Sequence, residues 1–373
     1  MRVLALEGQK NLGSFIDFPH DLYREDSNYV PELYIAQRDM LTPGKHPFHD
    51  HSKVQLFLAY DDNNKVCGRI AAILNNNHNA YNQATDGFFG FFDCVNEQGV
   101  ANSLFAAAEK WLKDQGATTA IGPVNFSTNE TCGLLISGFD SPPVVMMPYN
   151  FPYYLDLIDR AGYRKKVDLL AYDVPYATHN DRSVRLLDTL QARLQRSNIT
   201  IRKINIKDFK KEAAKLREVY NAAWDQNLGF VPMTEQEFDH MAKDLKLVLN
   251  PEFCLVAEQG DRFVGFVLGL PDLNQVLRKV KRGRLLPFGI FKILFGLKKI
   301  DWLRVLTLGV ISDYRKLGIE ACLYGLIIRN SVANNIKGAE CSWMLEDNYL
   351  MNNAIEAING TVSKKFRLFE KTI

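Results

Sequence analysis

Residues 313–325 read DYRKLGIEACLYG. Arg315, two further residues, Gly318, one residue and Glu320 lead into an apolar run with the character of a helix, and WLRVLTLGVIS just upstream is rich in β-branched and apolar residues, as a buried strand is. A strand, a glycine-bearing turn and a helix start gather unpaired backbone amides at the positive end of the helix dipole. That arrangement suits an anion, and Arg315 is placed to add a charge-assisted contact. One residue runs against the pattern: Glu320 sets a carboxylate where a phosphate would approach.

The elements around this loop occur twice. Residues 57–74, FLAYDDNNKVCGRIAAIL, have the pattern of strand, polar turn and strand, and residues 254–270, CLVAEQGDRFVGFVLGL, repeat it with Gly68 and Gly265 at matching points. GYRKKVDLLAY from Gly162 and GTVSKKFRLFE from Gly360 share a glycine, a KK pair and a closing strand. Between these landmarks each half has a helix-like segment ending in glycine, then a strand: ANSLFAAAEKWLKDQG with TTAIGPV, and EACLYGLIIRNSVANNIKG with AECSWML. An internal duplication is expected, each half an α/β unit with a mixed, twisted β-sheet flanked by helices; two unrelated α/β domains are the alternative. The expected bounds are 1–178 for the first unit, 179–198 for a helical connector (RSVRLLDTLQARLQRSN) and 199–373 for the second, which carries an insertion over 271–301.

Composition leaves room for this. The chain has 373 residues, 47% hydrophobic and 24% charged, with 45 Lys and Arg against 43 Asp and Glu, so disorder is excluded and overall charge points to neither nucleic acid nor acidic partners. Six cysteines never fall in a CxxC spacing and MRVLALEGQKNLGSF lacks the apolar core of a secretory signal, from which a cytoplasmic protein with free thiols is expected. Leu285–Leu297, the longest apolar stretch, is interrupted by Lys292 and falls short of the roughly 20 residues that span a bilayer.

The loop RKLGIE, with the hairpin at 254–270, the strand at 302–312, AECSWML and the closing NNAIEAING, resembles the GNAT acyltransferase superfamily, and the two halves together look like a tandem GNAT protein. That resemblance implies a loop of Arg or Gln, two residues, Gly, one residue and Gly or Ala, whose amides hold the pyrophosphate of an acyl-CoA, while the thioester lies where two parallel strands splay. On this chain it places Arg315, Gly318, Ile319 and Glu320 in the loop and Leu308, Gly309 and Val310 at the strand end, all as cofactor contacts, with acetyl-CoA or another acyl-CoA as cosubstrate and no metal. Glu320 departs from the pattern. Two unit charges about 4 Å apart repel by about 4 kcal/mol at an effective dielectric of ~20 and by about 1 kcal/mol in water. A carboxylate at a helix start also gains about 0.3–1 kcal/mol from the dipole. Both a usable cradle and a blocked one stay open. In the first half the matching passage, GFFGFFDCVNEQGVANSL, has neither the Arg nor the spaced glycines.

Acyl transfer to an amine needs a route for the departing proton and a donor for the thioester oxygen. Glu346 and Asn348, just past AECSWML, are the candidate catalytic residues, against the plainer reading of a solvated polar turn. For the acceptor, a small-molecule or peptide amine, the irregular stretch 122–154 offers Asn125, Ser127, Asn129, Glu130, Tyr149 and Asn150, which could equally satisfy turns and caps. This stretch is similar to a bacterial family of uncharacterised tandem-GNAT proteins. His46, His49 and His51 invite zinc, but no Cys pair or HExxH accompanies them.

The insertion carries eight Lys or Arg between Arg278 and Lys299, interleaved with Phe288, Phe291 and Phe295. It suits either contact with an anionic membrane surface through 278–299 or packing across a cleft with the lysines solvated. Nucleic acid is not favoured, since no recognised module is present. Three functions follow: an acyl-CoA-dependent N-acyltransferase, a noncatalytic binding protein that has lost CoA use through Glu320, or a peripheral membrane factor.

Overall fold

The computed structural model describes residues 1–179, 182–223 and 229–373, with the side chains of 182 and 183 left out. Among the described residues thirteen strands are interspersed with helices: β1 (Arg2–Ala5), β2 (Lys53–Tyr60), β3 (Val66–Leu74), β4 (Asp86–Cys94), β5 (Thr119–Gly122), β6 (Leu134–Ser137), β7 (Arg164–Pro175), β8 (Ile199–Lys203), β9 (Cys254–Gln259), β10 (Arg262–Pro271), β11 (Trp302–Val310), β12 (Gly338–Leu345) and β13 (Thr361–Thr372). They form two compact units. The first comprises Met1–Leu169, Asn274–Lys298 and Lys364–Ile373, the second Leu170–Leu273 and Lys299–Ser363.

The duplication seen in the glycine landmarks is a duplication of topology. In the first unit β2, β3 and β4 pair antiparallel, the helix Gln98–Asp114 crosses over, and β5 returns parallel to β4. In the second, β9, β10 and β11 pair antiparallel, the helix Ile319–Ala333 crosses over, and β12 returns parallel to β11. Gly68 and Gly265 occupy the same place in each: Gly68 lies opposite Cys94 at the end of β4, and Gly265 opposite Val310 at the end of β11. A Cβ on Gly68 would come within 2.7 Å of Leu104 in the crossover helix, and one on Gly265 within 2.9 Å of Val310, so a side chain at either would displace a packed neighbour. Gly338, expected to end a helix, instead opens β12; the helix stops at Ala333 because the chain must turn back parallel to β11.

The first unit is completed by the chain's last residues. Phe369–Thr372 of β13 pair with β5, and Arg367–Lys365 with β6. Phe366 and Phe369 are fully buried there, Arg367 grips Asp168 at 2.6 and 2.9 Å, and Lys371 reaches Glu109 at 2.8 Å. Beneath the sheet, Arg69 donates to Asp93 at 2.7 Å and to the Phe15 carbonyl at 2.8 Å, while Tyr23 donates to the other Asp93 oxygen at 3.0 Å. The arginine and carboxylate are both buried, which is tolerable only because each is hydrogen-bonded. Asp93→Ala is therefore expected to lower unfolding free energy by about 3–5 kcal/mol in urea titration, since it strands a buried guanidinium.

His20, buried against Tyr29 with its Nδ1 2.9 Å from the phenol oxygen, has its pKa lowered to about 4, first by burial and then by the nearby Arg69. The unfolded chain takes up this proton near its ordinary value of 6.5 and the folded chain only near 4. The stability it contributes is present above pH ~6.5 and lost as pH falls toward ~4, by about 3 kcal/mol in all. Melting curves between those pH values should fall more steeply for the native protein than for His20→Gln.

Candidate active site

In the second unit β11 carries one residue more than β10 facing it: Leu268 lies opposite Thr307 but Gly269 opposite Val305, which leaves Leu306 in a bulge. A bulge bends its strand and increases local twist. Pairing with β12 stops at the same point. Trp302 to Val305 run in register with Gly338 to Cys341, and no further pair follows. Burial changes with it on both strands. Leu303–Val305 and Ala339–Ser342 are buried, whereas Leu306–Leu308 and Trp343–Leu345 are half-exposed.

A buried arginine stands at the fork. Arg304 donates from Nε to the Ser342 hydroxyl at 3.0 Å and from a terminal nitrogen to the Ser342 carbonyl at 3.2 Å. Its register partner on β12 is the equally buried Glu340. The Arg304 guanidinium thus takes over a carbonyl of β12 that lies beyond the last strand pair. Just past the fork, the hydroxyl of Thr307 is buried and has no hydrogen-bond partner among the described residues.

Beyond β11 the chain makes a single 3-10 turn, Ser312–Tyr314, and then passes through Lys316 at φ 72° and Gly318 at φ 95° before Ile319 opens the helix. The first backbone bond of that helix is Cys322 to the Gly318 carbonyl, 3.0 Å. The amides of residues 316–321 donate to no described carbonyl, so six donors are gathered at the helix start. The first unit has a smaller counterpart, in which only the amides of residues 96, 98 and 99 donate to no described carbonyl. There only Val95–Glu97 separate β4 from its helix, and Val95 and Glu97 donate to the carbonyls of Cys67 and Val95.

The first unit also has a bulge, since Arg69 faces Asp93 but Ala71 faces Gly90, with Phe91 at φ 49°. Its parallel pairing stops at Phe88 and Ile121. Here the chain itself fills the parting: Val124 donates to the Phe89 carbonyl at 2.8 Å and the Asn125 side chain accepts from the Phe91 amide at 2.8 Å. A Cβ on Gly90 would lie 2.0 Å from the Val124 carbonyl, so this contact exists only with glycine.

The expected cofactor residues Leu308, Gly309, Val310, Arg315, Gly318, Ile319 and Glu320 are brought together at the end of β11 and the turn that follows. Arg315 is exposed, and its guanidinium donates to the carbonyls of Val310 at 3.1 Å and Ala223 at 3.2 Å. Glu320 is half-buried in the first helical turn and makes no ion pair among the described residues. One turn later Tyr324 shares its helix face, its phenol pushed well above the ordinary range by burial, and donates to the Met351 sulfur at 3.9 Å.

Glu346 is the first residue past β12, half-buried, with its carbonyl held by Asn352 at 3.3 Å. Asn348 caps the helix Tyr349–Glu356, accepting from the Met351 amide at 3.3 Å.

The six expected acceptor residues all lie in the first unit. Asn125 closes the parting described above. Asn150 is buried and clamps both backbone groups of Leu135, at 2.7 and 3.1 Å. Ser127 accepts from the Asn129 amide at 3.2 Å, and Glu130 lies 3.8 Å from His46. Tyr149 sits apart, donating to Asp26 at 2.7 Å, with its phenol pushed up by burial. His46 accepts from the Phe48 amide, His49 bonds the Met40 carbonyl and His51 the Ser52 hydroxyl. Among the described residues no cluster is placed to hold a metal ion, and all six cysteines are buried with free thiols.

Sequence reasoning passed over Arg304, Thr307 and Ser342. The one available signal was a charged residue inside the apolar run WLRVLTLGV, where a buried arginine requires partners.

No family model matches the chain. The chain is 37% identical to protein YghO of Escherichia coli over 373 residues, covering 98% of this chain and 94% of that protein. It is 33% identical over 383 residues to the bacterial ceramide synthase of Caulobacter vibrioides, covering 100% and 98%. Among solved structures, a tandem GNAT protein from the clavulanic acid biosynthesis pathway superposes with a TM-score of 0.57 at 10% identity, over 100% of this chain and 98% of that one. A GCN5-related N-acetyltransferase from Anabaena variabilis gives 0.55 at 10% identity, over 100% and 73%. This protein therefore has a tandem GNAT fold and belongs to the family that contains YghO and the bacterial ceramide synthase.

Proposed function

We propose that the chain is an acyl-CoA-dependent N-acyltransferase whose acceptor is the amine of a long-chain amino alcohol. The observation that carries this reading is the fork in the second unit. Two parallel strands stop pairing at Val305 and Cys341, their exposure rises together, and at the next helix start six amides donate to no carbonyl among the described residues. The amides suit a pyrophosphate and the fork suits an extended thioester arm, whose own amides can take the hydrogen bonds that the strands no longer give each other. The acceptor class rests on the relative named a bacterial ceramide synthase, since a ceramide is the amide of a fatty acid and a long-chain amino alcohol.

In this reaction the neutral amine attacks the thioester carbonyl, the C–N bond forms, the C–S bond breaks, and the amine's proton ends on the departing thiolate. Glu346, at the end of the strand that leaves the fork, is assigned to accept the proton from the amine and release it to the thiolate. The Thr307 hydroxyl, buried and without a partner among the described residues, is assigned to the thioester oxygen. Asn348 acts by capping the helix that follows Glu346. Arg315 acts by holding the loop closed on Val310. The reading places the enzyme in the cytoplasm, consistent with its six free thiols.

Two measurements test it. Gly318 adopts φ 95°, so a side chain there favours another conformation of the free loop, and CoA binding must restore the left-handed one at a cost of about 1–2 kcal/mol. Calorimetric titration of CoA should therefore show affinity about tenfold lower for Gly318→Ala, and about tenfold higher for Glu320→Gln as a charge beside the pyrophosphate is removed. Absence of CoA binding, or affinity unmoved by both changes, would sink the assignment of the loop. In the second, mass spectrometry follows amide formation from acyl-CoAs of increasing chain length with a long-chain amino alcohol or a short amine. The amide is expected with the long-chain acceptor; product from the short amine alone would keep acyl transfer and overturn the acceptor.

A further inference from the structure

The insertion within 274–298 belongs to the first unit and is fastened there. Arg282 bridges to Asp21 at 2.7 Å, and Arg284 bridges to Asp17 at 2.8 Å while lying 3.9 Å above the Tyr34 ring. The Asn274 amide donates to the Pro143 carbonyl at 2.9 Å. What this anchored platform presents is an inverted helix. In Gly289–Gly296 the packed face carries the two glycines, where a Cβ would meet the Arg284 carbonyl at 2.2 Å and Val276 at 2.5 Å. The bulky residues stand on the outside: Phe288 is 69% exposed, Phe291 53%, Leu294 57% and Phe295 76%, with Leu286 79% exposed just before them. A helix on a soluble surface ordinarily turns such residues inward. Contiguous exposed apolar patches of this kind mark interaction sites.

Charge selects the partner. Residues 274–298 contain seven Lys or Arg and no Asp or Glu. With Arg282 and Arg284 engaged, Arg278, Lys279, Lys281, Lys292 and Lys298 make no ion pair among the described residues. A second copy of this chain would bring the same cations against themselves. Phe and Leu side chains give no hydrogen bonds to a nucleic-acid base. A layer with anionic head groups outside and hydrocarbon beneath matches both components at once.

We propose that Leu286–Leu297, with the lysines around it, is an interfacial anchor that docks the protein on an anionic lipid bilayer without crossing it. No helix among the described residues is long and apolar enough to span one. The apolar side chains enter the head-group boundary and the cations contact lipid phosphates. The inference stands on these residues alone and does not depend on the acyl-transfer reading.

The test is sedimentation of the full chain with vesicles of phosphatidylcholine alone or mixed with phosphatidylglycerol, at low and high salt. Wild-type protein is expected to pellet with the mixed vesicles, to pellet less with phosphatidylcholine alone and to be released by salt. Phe288→Ser with Phe295→Ser should lower the partition coefficient by about tenfold or more. Lys279→Gln with Lys281→Gln and Lys298→Gln, which leave Arg278 and Lys292 in place, should weaken binding and reduce its dependence on salt. Circular dichroism melting checks that each variant is folded, and Phe291→Trp, read by quenching with lipids brominated on the acyl chains, reports insertion separately. No pelleting of wild-type protein, pelleting unmoved by the Phe changes in folded variants, or vesicle-free self-association abolished by those changes would overturn the proposal.

Discussion

An extra residue in one strand organises both units. The bulge at Leu306 in β11, and its counterpart around Phe91 in β4, bends the strand away from its parallel neighbour. Backbone amides and carbonyls beyond that point lose their strand partner, and buried polar groups left unpaired are costly. The first unit answers internally, with Val124 and Asn125 bonding β4 directly. The second spends one buried arginine on Ser342 and leaves the rest of the parting accessible. A common frame thus ends as a closed scaffold in one copy and an open fork in the other. The difference lies in whether the residues just after the returning strand fold back onto the bulged one, as Val124 and Asn125 do.

The turn after each bulged strand diverges in the same sense. Three residues lead into the helix at Gln98, two of them with engaged amides, whereas the longer passage to Ile319 runs through two positive-φ positions and six consecutive amides that donate to no described carbonyl. Arg315 contributes by stiffness, because its guanidinium is committed to two carbonyls of the surrounding backbone.

The hairpins at 53–74 and 254–271 and both crossover helices were legible in the sequence because they follow the period of two or 3.6 and are punctuated by glycines at matched distances. The strand, turn and helix start between Trp302 and Ile319 were legible for the same local reason. What escaped was nonlocal. Nothing in GTVSKKFRLFE announces that Phe366 and Phe369 bury in the first unit, since a strand's pattern states which face is apolar but not which neighbour it joins. The bulge at Leu306 left no glycine to mark it. Asn125 and Asn150 look like ligand contacts in sequence because short amides serve ligands and backbone equally well, and only geometry shows that both hold main chain here.

The use of Lys364–Ile373 in the first unit has a consequence for the protein's birth. During synthesis the first 169 residues emerge long before the strand that pairs with β5 and β6, so β5 and β6 wait without that partner while the second unit is made. Closure of the first unit is a late event with high contact order, and the waiting strand edges are those most in need of protection from other chains.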